Sequence, residues 1–166
     1  MATSYGTPTG FLAYCSERGI TPPSVVTGAI QSALQVASEW LDNIYRPSFP
    51  GMKTGGRDQE REWPRAGATD IYGYAIPSDT VPNEITYATY EAALQDMNSP
   101  GSLSVDYTPP KYKRVSVHGA ISVEYAQYDS LYDMQMRFAK VDMWLSVITA
   151  SRGPTDTGHV GKAYRV

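Results

Sequence analysis

A long segment rich in glycine and proline, Pro47 to Asp79, separates two stretches that have the spacing of amphipathic helices. The segment shows no sustained hydrophobic period and contains many residues that favour turns. A connection of this length inside a compact domain is usually functional or part of an interface. The role of this segment therefore bears on whether the chain carries out chemistry or builds a structure.

The centre of the segment combines a bulky aromatic residue with proline. Pro64 removes a backbone donor and favours an extended backbone at Trp63, whose large apolar surface requires burial. Arg65 follows, and its planar guanidinium can reach helix-end carbonyls or a carboxylate. Together with a turn at Gly67 and with Pro82 before the next helix, these residues predict a stiff structural corner. None of them is a nucleophile or a base.

The two halves of the segment differ in polarity. Gly51–Glu60 is polar and is expected to be exposed. The second half carries large apolar residues that favour burial. These residues are Trp63, Ile71, Tyr72, Tyr74 and Ile76.

Apolar residues recur every three or four positions in four stretches, which predicts four helices. Thr9 is the expected N-cap of the first helix, and Pro47 prevents the second from continuing beyond Arg46. The third has Pro82 in its first turn, where Glu84 complements the positive end of the helix dipole. The stripes of the second and fourth helices comprise Val26, Ile30, Ala33, Ala37, Trp40 and Ile44, and Leu131, Met134, Phe138, Val141, Leu145 and Ile148. Ser130 and Asp133 resemble a capping box before the fourth.

Residues 111–127 change to a period of two, which predicts two strands joined near His118. An isolated two-stranded ribbon is marginal in water, so a helix or a neighbouring subunit must cover its apolar face. The alternating apolar residues are Val115, Val117, Ile121, Val123 and Tyr125.

The predicted fold class is therefore mainly α. We expect a small bundle of three to four helices, with a β-hairpin or short ribbon before the last helix and with extended loops. Gly153 and Pro154 form a stop signal after the last helix. The sequence thus predicts one domain over residues 1–153 and a C-terminal arm over residues 154–166.

Composition excludes several classes of protein. A net charge of −3 lacks the basic footprint that is usual for nucleic-acid binding. The single Cys15 rules out an internal disulfide framework and a cysteine-cluster metal site. The chain shows neither a signal peptide nor an apolar run long enough for a membrane, so we expect an intracellular, soluble protein. Thirteen tyrosines against three phenylalanines suit half-wet contact surfaces.

The sequence offers little support for catalysis. His118 and His159 lack partners at metal-ligand spacing, apart from a weak Asp156–His159 pair, and no serine or cysteine has a nucleophile elbow. We therefore expect no enzyme activity, no metal and no cofactor. An enzyme with a site assembled from loop carboxylates is a third, less favoured hypothesis. The carboxylates are Asp58, Glu60, Glu62, Asp70, Asp79 and Glu84.

Basic and aromatic residues interleave before and along the predicted ribbon. Such interleaving can hold single-stranded nucleic acid by charge and stacking. Lysines also protect sheet edges from unwanted strand pairing, and we favour this second interpretation. The residues are Lys111, Lys113, Arg114, Tyr107, Tyr112 and Tyr125.

An ordered set of short motifs carries a family resemblance from roughly Ser4 to Ala150. The motifs are Trp40-Leu41-Asp42, Tyr45-Arg46, Asp58-Gln59, Trp63-Pro64-Arg65-x-Gly67, Ile76-Pro77 and Val81-Pro82. The set resembles the head–tail adaptor (connector) proteins of tailed bacteriophages. Relatives in that group include proteins labelled DnaT-like single-stranded-DNA-binding proteins.

The resemblance implies a structural protein of the virion neck, made in the host cytoplasm. Such adaptors form a ring, commonly of about twelve subunits, closed by a heterologous interface. The ring binds the portal protein above and a stopper or tail-completion protein below. Genomic double-stranded DNA passes through its lumen during ejection without sequence-specific reading. The alternative function is single-stranded-DNA binding.

The ribbon and the arm are the expected subunit or portal interface. A neighbouring subunit would complete the ribbon, and Pro154–Val166 would become ordered on binding the portal. The expected interface residues are Lys113, Arg114, Val123, Tyr125, His159, Lys162, Tyr164 and Arg165.

Overall fold

The computed structural model describes residues 4–104, the backbone of residues 114–117 and 121–124, and residues 138–149. These ranges contain helices α1 (Pro8–Glu17), α2 (Thr27–Tyr45), α3 (Asn83–Asn98) and α4 (Ala139–Leu145). They also contain strands β1 (Met52–Lys53), β2 (Arg65–Ala66), β3 (Arg114–Val117) and β4 (Ile121–Glu124). The predicted fold class, mainly α with a hairpin before the last helix, is confirmed.

The N-cap of the first helix, Thr7, lies two residues before the predicted cap. The side-chain oxygen of Thr7 accepts a hydrogen bond from the backbone N–H of Gly10 at 3.1 Å, and Pro8 occupies the first turn. Proline fits there because its missing N–H would have no partner inside the helix. The prediction of Thr9 as the N-cap is therefore wrong.

The second helix starts later than its apolar stripe suggests. Val26 is its N-cap and is 64% exposed, so its predicted place in the buried stripe is wrong. The rest of that stripe is buried, from Ile30 through Ile44. The α-helix ends at Tyr45, and a single 3-10 turn over Arg46–Ser48 accommodates Pro47. The predicted stop at this proline is confirmed.

The core lies between α2, α3 and α4, with α1 packed across α2 and α3. Ala88, Ala92 and Ala93 of α3 are fully buried, and these small side chains allow the helices to approach closely. Pro82 is the N-cap of α3 and so lies just before its predicted first-turn position. The largest fully buried aliphatic and aromatic side chains are Trp63, Phe11, Ile30, Leu34, Leu41, Ile85 and Leu145.

The long connection between α2 and α3 is folded back on itself. Strands β1 and β2 pair antiparallel, with Met52 opposite Ala66 and Lys53 opposite Arg65. Trp63 is buried, as the sequence predicts. Burial of the apolar residues that follow is wrong for three of them: Ile71, Tyr72 and Tyr74 are 51%, 73% and 73% exposed. They sit in a tight turn whose backbone bonds direct them outward.

The predicted hairpin is present as β3 and β4, which pair antiparallel from Arg114 opposite Glu124 to Val117 opposite Ile121. The last helix is shorter than predicted. Phe138 is an extended N-cap (φ −111°, ψ 121°), so a continuous helix through this residue is wrong. Its ring instead packs on Trp40, with centroids 5.4 Å apart. The predicted residues Ser130, Leu131, Asp133 and Met134 lie outside the described ranges.

Candidate functional site

A buried carboxylate on α2 anchors the Trp63 corner. Asp42 Oδ1 accepts a hydrogen bond from the Tyr5 hydroxyl at 2.7 Å, and Asp42 Oδ2 accepts one from the Glu62 N–H at 3.3 Å. The Tyr5 hydroxyl in turn accepts the N–H of Trp63 at 3.0 Å. Arg61 lies beside the same carboxylate, 3.9 Å from Oδ2. One aspartate thus ties the N-terminal segment and the loop to α2.

A second buried carboxylate holds three cations together. Glu62 Oε1 lies 2.8 Å from Arg46 Nε and 3.4 Å from Lys53 Nζ. Its other oxygen lies 2.8 Å from a terminal nitrogen of Arg65. Removing one partner of a buried ion pair leaves an uncompensated charge, which is strongly destabilising. Glu62 therefore acts as the fixed centre of the loop.

Arg65 completes the corner with two short hydrogen bonds to backbone carbonyls, besides a longer one to the carbonyl of Glu62 at 3.4 Å. Its Nε donates to the carbonyl of Pro50 and one terminal nitrogen donates to the carbonyl of Gly51, both at 2.7 Å. The Glu62 carboxylate is one of the acceptors that the sequence predicts for this guanidinium, whereas all three carbonyls belong to the loop and not to a helix end. The Glu62 carboxylate and the Arg65 guanidinium are buried and paired with each other, so neither is available to a ligand.

The other predicted corner residues shape the backbone. The peptide bond between Trp63 and Pro64 is cis, and Trp63 is 2% exposed. Gly67 has φ +69°, a conformation that favours glycine. Pro82 lies at the far end of the connection, at the start of α3.

Burial changes the proton affinity of this region. Removal from water raises the pKa of Asp42 to about 6, although its hydrogen bonds and the neighbouring Arg61 act in the opposite direction. Burial and the adjacent Asp42 carboxylate also raise the pKa of Tyr5, so Tyr5 remains a hydroxyl donor. Asp42 consequently changes its charge in a mildly acidic range.

A separate cluster of one arginine and three aromatic rings lies where α1, α3 and α4 meet. We call Arg18, Tyr14, Tyr87 and Trp144 the arginine–aromatic cluster. The Arg18 guanidinium carbon lies 3.7 Å from the Tyr14 ring centroid, 5.4 Å from that of Tyr87 and 5.7 Å from that of Trp144. These distances are within the range of cation–π attraction. Arg18 keeps 32% of its side chain exposed, and Tyr87 and Trp144 are half-buried.

The rings of the cluster support one another. Tyr14 and Tyr87 have centroids 5.3 Å apart, and Tyr87 and Trp144 have centroids 5.0 Å apart with planes at 59°. The Tyr14 hydroxyl donates to Glu91 at 2.7 Å, and burial followed by this hydrogen bond raises the pKa of Tyr14 to about 12. The hydrogen bond to buried Glu91 therefore fixes the Tyr14 ring, while Arg18, Tyr87 and Trp144 keep part of their surface exposed.

Lysine 140 extends the positive charge of the cluster. Lys140 Nζ lies 3.6 Å from Glu91 Oε2, and 68% of the lysine side chain is exposed. Arg18 has its own acidic neighbour, Glu17, at 3.6 Å. The Arg18–Glu17 pair has a well exposed carboxylate, and such pairs are weak in water, so Arg18 can exchange this partner for an anionic ligand at small cost. Glu91 is buried, so Lys140 attracts a ligand while it stays beside this carboxylate.

No sequence pattern described above predicts this cluster. The available signal was local: Tyr14 and Arg18 are four residues apart, which places them on one face at the end of α1. Trp144 joins them only through the packing of α4 on α3, which no sequence spacing reveals.

A third feature is a turn that presents tyrosines to solvent, residues 69–75, which we call the tyrosine hairpin. Asp70 Oδ1 accepts the N–H groups of Tyr72 and Tyr74, each at 2.9 Å. The N–H of Ile71 donates to the carbonyl of Val147 at 2.9 Å, which fixes the turn to the end of α4. The exposed tyrosines are thus held on a well-bonded backbone.

Comparison with known proteins gives a family. The family described as "Putative DnaT-like ssDNA binding protein" matches residues 1–166. The chain belongs to this family. No curated protein matches it, and neither does any solved structure.

The expected interface residues of this DnaT-like family member are described only in part. Arg114 begins β3 and Val123 lies in β4, opposite Val115. The other expected interface residues, as well as both histidines and the basic and aromatic residues before β3, lie outside the described ranges. Those residues are Lys113, Tyr125, His159, Lys162, Tyr164, Arg165, His118, Lys111, Tyr107 and Tyr112.

The loop carboxylates of this family member do not gather at one site, and only Asp70 and Glu84 line the same cleft. Glu62 is buried in the corner, Asp70 and Glu84 are half-buried, and Asp58, Glu60 and Asp79 are exposed. Within the described ranges, no three of the residues His, Cys, Asp and Glu are grouped as metal ligands would be. Over the same part of the chain, no helix has both the length and the hydrophobicity needed to cross a bilayer.

Proposed function

We propose that this chain binds single-stranded DNA and that the arginine–aromatic cluster is its contact surface. The observation that carries the proposal is the position of Arg18, 3.7 Å above the Tyr14 ring with Tyr87 and Trp144 beside it. The family description names the same ligand. The proposed activity is binding without catalysis, since Asp42 and Glu62 are both occupied by structural partners.

Two parts of a single strand have complementary groups here. Bases can stack on the half-buried rings of Tyr87 and Trp144, and such stacking contributes roughly 1–3 kcal/mol per base. Phosphates can accept hydrogen bonds from the Arg18 guanidinium and attract the Lys140 ammonium. Every base has an aromatic face, so this mode tolerates any sequence.

The charge distribution limits which cations can take part. Arg46, Lys53 and Arg65 converge on Glu62, and Arg61 pairs with Glu39 and Asp42. These four cations hold the corner together. A net charge of −3 therefore does not exclude a DNA surface, because a strand needs only the few cations placed beside rings.

A salt-titrated binding assay tests the proposal. A fluorescently labelled oligothymidylate is titrated with the full chain at salt concentrations between about 50 and 200 mM. We expect binding that weakens steeply with salt, with a slope of roughly 0.7 per phosphate contact. Arg18→Ala should lower the affinity about tenfold and reduce the salt slope by roughly 0.7, because it removes one phosphate contact and one stacking partner.

The matched control is Arg57→Ala, which removes an exposed arginine that is not part of the cluster. This variant should bind as the unmodified chain does. Equal losses for Arg18→Ala and Arg57→Ala would mean that binding follows total charge and not the cluster. Absence of binding at low salt would contradict the proposal itself.

A second candidate function is the head–tail adaptor of a tailed phage, which the motifs of the sequence resemble. The tyrosine hairpin favours it, since Ile71, Tyr72 and Tyr74 are exposed on a fixed backbone. Tyrosine is enriched at protein interfaces and loses little conformational freedom there. In this function the chain forms a ring of about twelve subunits that binds the portal and a stopper or tail-completion protein, with genomic double-stranded DNA in its lumen.

Electron microscopy of the purified chain, alone and with portal protein, tests the second candidate. A closed ring of subunits on the portal, lost in a Tyr72→Ser/Tyr74→Ser double variant, would support it. A chain that stays monomeric, does not bind the portal protein and binds oligothymidylate would contradict the adaptor function and support the first proposal.

A further inference from the structure

A cleft opens between the tyrosine hairpin, the start of α3 and the end of α4. Its volume is about 220 Å³, which is below the roughly 300–1,000 Å³ of typical small-molecule sites. It therefore suits one or two side chains of a polypeptide better than a metabolite. Its apolar lining comes mainly from Ile76, Pro77, Pro82, Val147 and Ile148.

Two half-buried carboxylates lie in the wall of this cleft, and its lining contains neither lysine nor arginine. Asp70 uses Oδ1 for the hairpin N–H groups. Among residues 4–104 and 138–149, nothing donates to Asp70 Oδ2 or to the Glu84 carboxylate. This contrasts with Glu62 and Asp42, each of which faces at least one cation. An acidic cleft with an apolar floor is complementary to a lysine or arginine side chain, whose stem is apolar and whose head is charged.

We propose that the occupant is the chain's own C-terminal segment, residues 150–166, which joins Ala150–Gly153 to the arm defined above and is called the basic arm here. The arm follows Thr149 directly, next to Val147 and Ile148 in the lining. It carries Arg152, Lys162 and Arg165 against one acidic side chain, Asp156. An extended residue spans about 3.3–3.6 Å, so the arm is long enough to fold back over the cleft. A segment tethered beside its site also has a high effective concentration there.

The docked arm places a basic head between Asp70 and Glu84 and the apolar part of that side chain on the floor of the cleft. The site is separate from the arginine–aromatic cluster and does not rest on the DNA-binding proposal. It gives the arm a defined position in the free chain, from which a partner that binds the arm would have to release it.

Carbodiimide coupling tests the proposal, because it joins a carboxylate to an amine only where the two are in contact. The full chain and an Arg152→Lys variant are treated at low salt, digested and mapped by mass spectrometry. We expect an amide link from Glu84 or Asp70 to Lys162 or to the introduced amine at position 152, in a product of monomer mass. The recorded pair of Lys140 and Glu91, 3.6 Å apart, is the internal positive control.

Two variants keep the result interpretable. Glu84→Gln removes one acceptor carboxylate and should abolish the Glu84 link, whereas Asp79→Asn, a nearby exposed residue outside the cleft, should change nothing. Formation of the Lys140–Glu91 link without any link to the cleft would overturn the proposal. The same cleft links found only in a product of dimer mass would also overturn it, since the arm of a second copy would then be the occupant.

Discussion

Arg65 and Arg18 both hold their guanidinium groups against other parts of the folded chain, yet the surroundings of the two groups differ in one decisive way. Arg65 is 8% exposed and donates to two carbonyls and to Glu62. Arg18 keeps 32% of its side chain exposed, lies over the Tyr14 ring and donates one hydrogen bond, to the Tyr14 carbonyl at 3.3 Å. The first guanidinium has its donors saturated inside the protein, and the second retains an exposed edge.

The difference separates structural from binding arginines by their acceptors. A buried charge with fixed partners contributes to stability mainly by being costly to unpair. A guanidinium held by aromatic rings is only weakly paired, so its donors remain available to an anion. We therefore expect substitutions in the Trp63 corner to change the free energy of unfolding, and substitutions in the arginine–aromatic cluster to change the affinity for DNA.

The largest expected effect comes from breaking the corner at Arg65. Arg65→Ala leaves Glu62 without its closest buried partner and removes donors from two carbonyls. We expect the free energy of unfolding, measured by urea denaturation, to fall by about 3–5 kcal/mol. The control Arg57→Ala should stay within about 0.5 kcal/mol of the unmodified chain. A loss below 1 kcal/mol for Arg65→Ala would remove the distinction drawn between the two arginines.

The next effect is a dependence of stability on pH through Asp42. Burial raises its pKa from 3.8 to about 6, so the folded state holds this proton more tightly than the unfolded state. The contribution to stability is fully present below the unfolded pKa and is lost as the pH rises through the folded pKa. Relative to Asp42→Asn, the unmodified chain should lose roughly 2.4 kcal/mol between pH 4 and pH 7. Parallel urea-derived stability curves for the two proteins across this range would contradict the shift.

Two glycines of the long connection, Gly51 and Gly56, differ in how closely the backbone packs around them. Gly51 and Gly56 have φ +69° and +65°, but a Cβ on Gly51 would lie 2.5 Å from the carbonyl oxygen of Ala66, whereas one on Gly56 would meet nothing within 4 Å. Both alanine substitutions carry the strain of positive φ. Gly51→Ala should lower the thermal midpoint further, with an added cost of about 1–3 kcal/mol. Equal midpoints would mean that the backbone at the corner yields easily.

The smallest expected effect on stability comes from the cluster. Arg18→Ala removes the cation–π attraction of one partly exposed guanidinium, which is worth about 0.5–1 kcal/mol. Its urea unfolding curve should therefore lie close to that of the unmodified chain while oligothymidylate affinity falls. A stability loss as large as that of Arg65→Ala would show that Arg18 is a structural residue.

The sequence predicts much of the fold because its strongest signals are local. The stripe from Ile30 to Ile44 and the stop at Pro47 belong to a single segment, and the structure ends α2 beside that proline. The errors arise where tertiary contacts prevail over periodicity. Phe138 is extended and packs on Trp40, although its spacing suits a helix.

The site is less predictable than the fold for the same reason. The Trp63 corner is readable because its aromatic, proline and arginine residues are consecutive. Asp42 and Glu62 are drawn into that corner from different segments, and their pairing with Tyr5, Arg46 and Lys53 depends on the folded chain. Exposure of Tyr72 and Tyr74 depends on Asp70 bonding both N–H groups, which hydrophobicity alone does not reveal.

Intrinsic tryptophan fluorescence can show whether single-stranded DNA binds at the arginine–aromatic cluster, because the three tryptophans differ in burial. Trp40 and Trp63 are 8% and 2% exposed, whereas Trp144 is half-buried in the cluster. On titration with oligothymidylate at low salt, we predict quenching that disappears in Trp144→Phe, while anisotropy shows that this variant still binds. Binding with no quenching, or quenching that persists unchanged in Trp144→Phe, would place the DNA elsewhere and contradict the account.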